Sequence, residues 1–154
     1  MTYQSSRLGT FEIKDEEILK FPEGLYGFEG EKQFAMLPFD AKVECPLQWL
    51  QSLKNPDLAF VVTDPFVYVP DYRPQLSPEE KACIGATEKD ALCTLVIVRI
   101  PQDFTKMTAN LVAPVVINTR TLVGKQCVLS NPAYDTAHFL LPEDVRKGQT
   151  AQMA

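Results

Sequence analysis

Chemistry in this chain would have to start from very few side chains. His138 is the single histidine of 154 residues, and Cys45, Cys83, Cys93 and Cys127 are the four cysteines. A cysteine nucleophile needs a base beside it; His138 could meet any of the four in space, yet no local motif marks such a pair. One histidine excludes three-histidine zinc and H-E-x-x-H sites, and without a C-x-x-C pair the zinc-ribbon and thioredoxin readings have no support. The four thiols are expected to be free and buried. Neither G-x-S-x-G, G-x-x-x-x-G-K-[ST] nor G-x-G-x-x-G occurs; Gly24, Gly27 and Gly30 have the spacing G-x-x-G-x-x-G, which cradles no phosphate in these motifs.

Carboxylates are the remaining candidates. Residues 12–31 hold Glu12, Asp15, Glu16, Glu17, Glu23, Glu29 and Glu31 against Lys14 and Lys20, so this window carries the whole formal charge of −5 and the remainder is neutral. Paired carboxylates do acid–base work where a desolvated cleft splits their pKa values, and a solvated turn supplies none. The window reads either as a solvated hairpin turn and strand face or as a surface that steers a basic partner. With no basic stripe, the chain is a poor candidate for holding nucleic acid directly. No catalytic residue, cofactor or metal site is expected, which leaves a protein whose surface does the work.

The elements that must position such a surface are short strands. Twelve prolines are spread from Pro22 to Pro142, and each fixes φ and removes an amide donor, which is incompatible with a helical bundle. Thr10–Lys14 alternates Phe11 and Ile13 with Glu12 and Lys14, and Ile18, Leu19 and Phe21 follow, which predicts a hairpin with Asp15 and Glu16 at its turn. After Pro22, the three glycines and Leu25, Tyr26 and Phe28 predict a loop folded back on the core. Phe34–Leu37, Pro46–Leu50 and Leu58–Val62 are strand-like. Pro65–Pro78 is expected to stay extended and stiff, with Tyr68 and Tyr72 either anchoring a partner or covering the wall of the fold.

One helix is signalled over 78–84: Ser77 caps it, Pro78 suits its first position, Glu80 completes a capping box and Gly85 stops it. Leu92–Ile100 is apolar on both faces and rich in β-branched residues, so it is expected to be covered on both sides. Met107–Asn118 is similar, but Pro114 demands a bulge or an unpaired position. Asn110 and Asn118 bracket that run and are read first as strand-end groups bonding to backbone, second as contact residues. Gly124 turns the chain into a strand over Lys125–Leu129.

The expected architecture is one mainly β domain over residues 1–141, a small closed or partly closed β-barrel of about seven to ten short strands with one accessory helix. Residues 142–154 form a polar tail expected to fray. Residues 1–11 lack the apolar core of a signal peptide and no run approaches the roughly 18 to 20 apolar residues of a membrane span. A cytoplasmic protein away from membranes is expected.

Several segments together resemble one family. Phe21-Pro22-Glu23-Gly24-Leu25-Tyr26-Gly27-Phe28 is similar to the F-x-x-G-L-x-G-F signature of the flagellar assembly factor FliW family. Leu47-Gln48-Trp49-Leu50-Gln51-Ser52 with Pro56-Asp57-Leu58-Ala59-Phe60 resembles its second block, followed by Asp71-Tyr72 and Ser77-Pro78-Glu79-Glu80. Asn110 to Asn118, then Lys125-Gln126-Cys127-Val128-Leu129, resembles the third. The blocks run in order from about Leu8 to Leu141.

The resemblance implies a non-catalytic cytosolic protein that binds the RNA-binding translational regulator CsrA, relieving its repression of flagellin mRNA. It also implies binding of flagellin, which occupies the factor until export releases it. Within that picture Asp15, Glu16 and Glu17 are expected to steer the basic regulator, and an apolar patch including Tyr68 or Tyr72 to hold it, with Asn118 a further contact candidate. The competing class is a barrel that carries a small apolar ligand; the inward strands, rich in Leu, Val, Ile and Phe with few polar groups, favour a packed interior instead.

Overall fold

The computed structural model describes residues 2–40 and 45–144. Among these the strands are β1 (Thr2–Ser5), β2 (Gly9–Glu12), β3 (Leu19–Lys20), β4 (Gln33–Pro38), β5 (Leu47–Ser52), β6 (Ala59–Thr63), β7 (Leu92–Arg99), β8 (Thr108–Ala109), β9 (Val115–Asn118), β10 (Gly124–Gln126) and β11 (His138–Phe139), with one α-helix, α1 (Pro78–Cys83). The mainly β expectation with an accessory helix after Ser77 therefore holds, although the described strands number eleven where about seven to ten are expected. Residues 145–154, most of the expected tail, lie outside the described residues.

Pairing is antiparallel throughout the ladders. β1 and β2 form a hairpin of their own, and the main sheet runs β10-β9-β7-β6-β5-β4-β3, with β8 pairing both β7 and β11. β7 organises it because both of its faces are apolar, as expected: Leu95, with Cys93 and Ile97, joins Phe21, Phe34, Leu50, Val62, Val115 and Ile117 on one face, while Val96 and Val98 join Tyr72, Met107, Leu111 and Leu129 on the other. The β1–β2 hairpin and its connection cover the outside of β4 through Ile13, Ile18 and Ala35, and Ile84 at the end of α1 covers β9 through Val116 and Cys127.

The closed barrel is not observed. No ladder joins β10 to β3 among the described residues; the ends of the sheet meet at one isolated bridge, Lys20 with Val123, carried by Lys20 N donating to Leu122 O at 2.8 Å.

The 10–21 hairpin is also corrected. β2 turns back on β1, with Phe11 opposite Tyr3, while β3 goes to β4, with Leu19 opposite Phe34. Ile13 and Ile18 both bury against Ala35, so the chain between them crosses from one sheet to the other through a 3₁₀ turn at Asp15–Glu17 instead of reversing on itself. A second correction concerns Pro65–Pro78, which begins as a 3₁₀ turn over Pro65–Val67 before it extends. Proline's φ serves either conformation; Asp64 decides by accepting the Phe66 amide at 2.9 Å.

The Pro114 expectation is met by a split strand. β7 is paired along one side by β8 at Val98–Arg99 and by β9 at Leu92–Leu95, and between these registers residues 110–114 face only Val96 and Ile97. The surplus residues bulge out with their polar groups occupied. Asn110 N donates to Ile97 O at 3.0 Å and Leu111 N to Asp135 O at 2.9 Å, while Asn110 Oδ1 accepts from Val112 N at 3.1 Å and Ala113 N at 3.2 Å. α1 follows its sequence signals: Ser77 Oγ accepts from Glu80 N at 3.1 Å, Glu80 Oε1 accepts from Ser77 N at 2.9 Å, and Gly85 takes φ +64°.

Candidate functional site

The acidic window divides into two parts. Asp15, Glu16 and Glu17 stand on the 3₁₀ turn, all exposed, because their neighbours Ile13 and Ile18 are the groups that insert. Glu17 accepts from Lys14 N at 3.2 Å, which ties the turn locally and leaves Asp15 and Glu16 projecting. The second part, Glu23 to Glu31, lies on the glycine loop.

That loop is a rigid prong. Phe21 is fully buried and meets Phe34 edge-on at 5.4 Å between centroids, and Leu25 is 2% exposed. Between these anchors Gly24 takes φ +67°, and a Cβ on it would stand 2.6 Å from the backbone of Phe28 and Glu29. Phe28 N donates to Leu25 O at 2.7 Å, closing a turn whose third residue, Gly27, has φ +85°, the type II position that favours glycine. Tyr26 and Phe28 are thereby held outward, 55% and 40% exposed, and Phe28 leans on Phe60 at 5.3 Å.

Across from the prong lies β10. Tyr26 N donates to Gln126 Oε1 at 2.9 Å, Gln126 Nε2 donates to Ala113 O at 3.2 Å, and Lys125 pairs with Glu23. The Glu23 carboxylate raises the Lys125 pKa by its hydrogen bond, against the effect of partial burial. Glu23, Gly24, Leu25, Tyr26, Glu29, Lys125 and Gln126 line a cleft of about 210 Å³ between loop and strand. The arrangement combines preorganised aromatic surface with carboxylates, which suits contact with a basic protein surface.

The other candidates fall elsewhere. Tyr68 is half-buried against the second core cluster. Tyr72 is corrected as a direct contact: it is fully buried, its hydroxyl donates to Leu111 O at 2.7 Å, and its ring meets Tyr134 edge-on at 4.8 Å. Burial raises the pKa of that phenol, and it stays a neutral donor. Asn118 is corrected in the same way. Also fully buried, it donates to Ile84 O at 3.0 Å and Asp90 Oδ2 at 3.1 Å and accepts from Arg120 N at 3.0 Å, so its strand-end reading describes it. Arg120 completes this network by binding Asp90 at 2.8 Å and Gly85 O at 3.1 Å. Its hydrogen bond holds the Asp90 carboxyl well below the usual carboxylate range, with the Thr87 amide and Asn118 adding to the effect.

Thiol chemistry has poor footing. Burial pushes Cys127 up to about 12 and raises Cys93, the opposite of what a nucleophile needs. Contrary to expectation only Cys127 is buried: Cys45 and Cys93 are half-buried and Cys83 is exposed, because Ile84 takes the inward position at the end of α1. His138 lies on β11 opposite Ala109. The inner face that a ligand carrier would hollow out is filled by Phe21, Phe34, Leu50, Val62 and Val115, each fully buried.

Sequence reasoning placed the glycine loop on the core but missed that Tyr26 and Phe28 point away from it. The available signal was their position around Gly27: residues at the tip of a tight turn cannot follow Leu25 inward.

Comparison with known proteins follows the same blocks. The family model described as FliW protein matches residues 2–140. A flagellar assembly factor FliW from Alkaliphilus metalliredigens is 39% identical over 149 residues, spanning 97% of this chain and 91% of the relative. Another from Geobacillus kaustophilus is 40% identical over 139 residues, spanning 90% of this chain and 94% of the relative. A crystal structure of the flagellar assembly factor FliW superposes with a TM-score of 0.85 at 36% identity, covering 93% of this chain and 99% of that one.

Proposed function

The chain belongs to the FliW family of flagellar assembly factors, and we propose that it acts in the cytoplasm as a partner switch, binding a CsrA-type RNA-binding regulator and, in competition, flagellin. Holding the regulator relieves repression of flagellin mRNA; flagellin that awaits export occupies the factor and restores it. The observation that carries this reading is the concentration of the entire net charge in residues 12–31, displayed on the Asp15–Glu17 turn and beside the exposed Tyr26 and Phe28. A regulator that binds RNA carries basic surface, and an opposed acidic field raises its encounter rate. In this reading the curved sheet is a partly closed barrel that serves as a frame, and the protein needs no cofactor.

Asp15, Glu16 and Glu17 steer, and Tyr68 contributes to holding from the edge of the second core cluster. Tyr72 and Asn118 act from the interior as positioning groups. Two measurements test the proposal. Titrating purified CsrA into the protein should give a complex that added flagellin dissociates; absence of the complex, or indifference to flagellin, overturns the switch. Replacing Asp15, Glu16 and Glu17 together by lysine should slow association about tenfold at low salt and flatten its salt dependence. Unchanged association rates remove the steering role.

A further inference from the structure

A second cleft, also of about 210 Å³, is lined by Arg73, Gln75, Leu129, Ser130, Asn131 and Tyr134. No carboxylate is among these residues, and Arg73 brings the only formal charge. In a chain of net charge −5 this cleft has the opposite sign to the one beside the glycine loop, which holds Glu23 and Glu29.

Arg73 is positioned from its own segment. Pro74 disfavours the helical region for the residue before it, and Arg73 N donates to Tyr134 Oη at 2.8 Å. Tyr134 is in turn seated edge-on against the buried Tyr72 ring. A guanidinium is planar and carries five N–H donors. Here Nη1 donates to Pro70 O at 3.1 Å and to Tyr72 O at 2.9 Å, which folds the side chain back on the backbone between Pro70 and Pro74. Nε and Nη2 form the remaining fork of the plane. Among the described residues neither of them meets an acceptor, and Arg73 pairs with no carboxylate.

Two further donors line the same cleft. The Tyr134 oxygen accepts from Arg73 N, while its own hydrogen has no acceptor among the described residues. Asn131 Oδ1 accepts from Ala133 N at 2.9 Å and Asn131 O from Tyr134 N at 3.3 Å, which fixes the Asn131 side chain and leaves its Nδ2 amide as the unengaged group. Arg73 and Asn131 are exposed and Tyr134 is half-buried, so these donors are within reach of a partner.

We infer that this cleft is a docking pocket for a glutamate or aspartate side chain of a partner protein. The carboxylate accepts from Nε and Nη2 together, the bidentate geometry that a guanidinium fork matches, and the Tyr134 hydroxyl and the Asn131 amide are at hand for its remaining lone pairs. The cleft is smaller than the roughly 300–1,000 Å³ of pockets that enclose small molecules, and suits one inserted side chain. The assignment goes beyond the partner switch proposed above and does not depend on it, because that reading rests on the acidic window and a basic partner.

An N-acetylated, C-amidated pentapeptide of alanines around a central glutamate is the probe, titrated into isotope-labelled protein. It should shift the Arg73 Nε–H and Asn131 Nδ2–H resonances saturably, and the same peptide with glutamine at its centre should bind at least about tenfold more weakly. An Arg73→Lys variant, which keeps the charge and loses the fork, should bind the glutamate peptide about fivefold or more weakly. Arg73→Gln should abolish saturation, with the rest of its spectrum unperturbed as evidence of an intact fold. Absence of saturable shifts at millimolar peptide overturns the pocket, as do equal binding of the glutamine peptide, an unchanged Arg73→Lys variant, or tighter binding of inorganic phosphate than of the glutamate peptide.

Discussion

Pro22 and Pro114 each interrupt the same sheet, and the molecule treats the two interruptions in opposite ways. Around Pro114 the surplus residues are tied down from all sides: the Asn110 side chain caps two amides, Tyr72 holds Leu111 O, and Leu129 N donates to Val112 O at 2.7 Å. Around Pro22 the Lys20–Val123 bridge and two side-chain ties span the gap, and aromatic and acidic groups are displayed beside it. A proline break that is fully hydrogen-bonded is framework, because leaving buried amides and carbonyls unpaired costs more than any one bond contributes. The break at Pro22 turns the glycine loop off the sheet, and there Tyr26 and Phe28 are exposed.

Substitutions can break that contrast. The largest effect is expected from Gly24→Ala, which must hold φ +67° and place a Cβ 2.6 Å from the Phe28 and Glu29 backbone. Urea denaturation should show a loss of about 3 kcal/mol. A loss below about 1 kcal/mol, the scale of an ordinary glycine replacement, means the prong is loose and the contrast with the Pro114 bulge fails. Next comes Tyr72→Phe, which leaves the ring packed and deprives Leu111 O of its donor. A cost of about 1–2 kcal/mol is expected, with partner association rates unchanged; altered association would move Tyr72 from the frame to the surface.

Acid titration sharpens the comparison further. The Asp90 carboxyl is held low chiefly by Arg120. A group lowered in the folded state stabilises fully above its unfolded value, about pH 4, and loses that contribution as the pH falls. The stability difference between the native chain and Asp90→Asn should therefore be flat near neutrality and narrow below about pH 4, as read by urea midpoints across pH. A difference that does not narrow there shows that the strand-end network stabilises through shape and not through charge. Smallest of all is Tyr26→Ala: at 55% exposure it should change stability by no more than about 0.5 kcal/mol while weakening partner binding. A larger stability loss would make Tyr26 part of the core.

Much of the frame was legible because it is local. The Ser77–Glu80 capping box, the two-faced apolar run of β7 and the interruption at Pro114 depend on residues within a few positions of one another, and each appears where its pattern points. The errors share one cause. Thr10–Phe21 has the pattern of a hairpin, but whether β2 pairs with β3 or with β1 depends on what lies under Ile13 and Ile18, and that is Ala35. Tyr72 could anchor a partner or cover the wall, and Asn118 could bond at a strand end or make a contact; Leu111 O and Ile84 O, 39 and 34 residues away, decide for the interior in both cases.

By itself, then, the sequence determined most strand-forming segments, though not β1 or β11, together with the helix after Ser77, the acidic window and, through ordered blocks from Phe21 to Leu129, the family. Only the tertiary structure decided which edges meet, which aromatic rings are buried and where the sheet stays open. Periodicity and capping act over one or two turns of chain, whereas the bridge between Lys20 and Val123 depends on two segments brought together by everything folded between them. The absent amide of Pro22 is written in the sequence; that Lys20, two residues before it, meets Val123 is not.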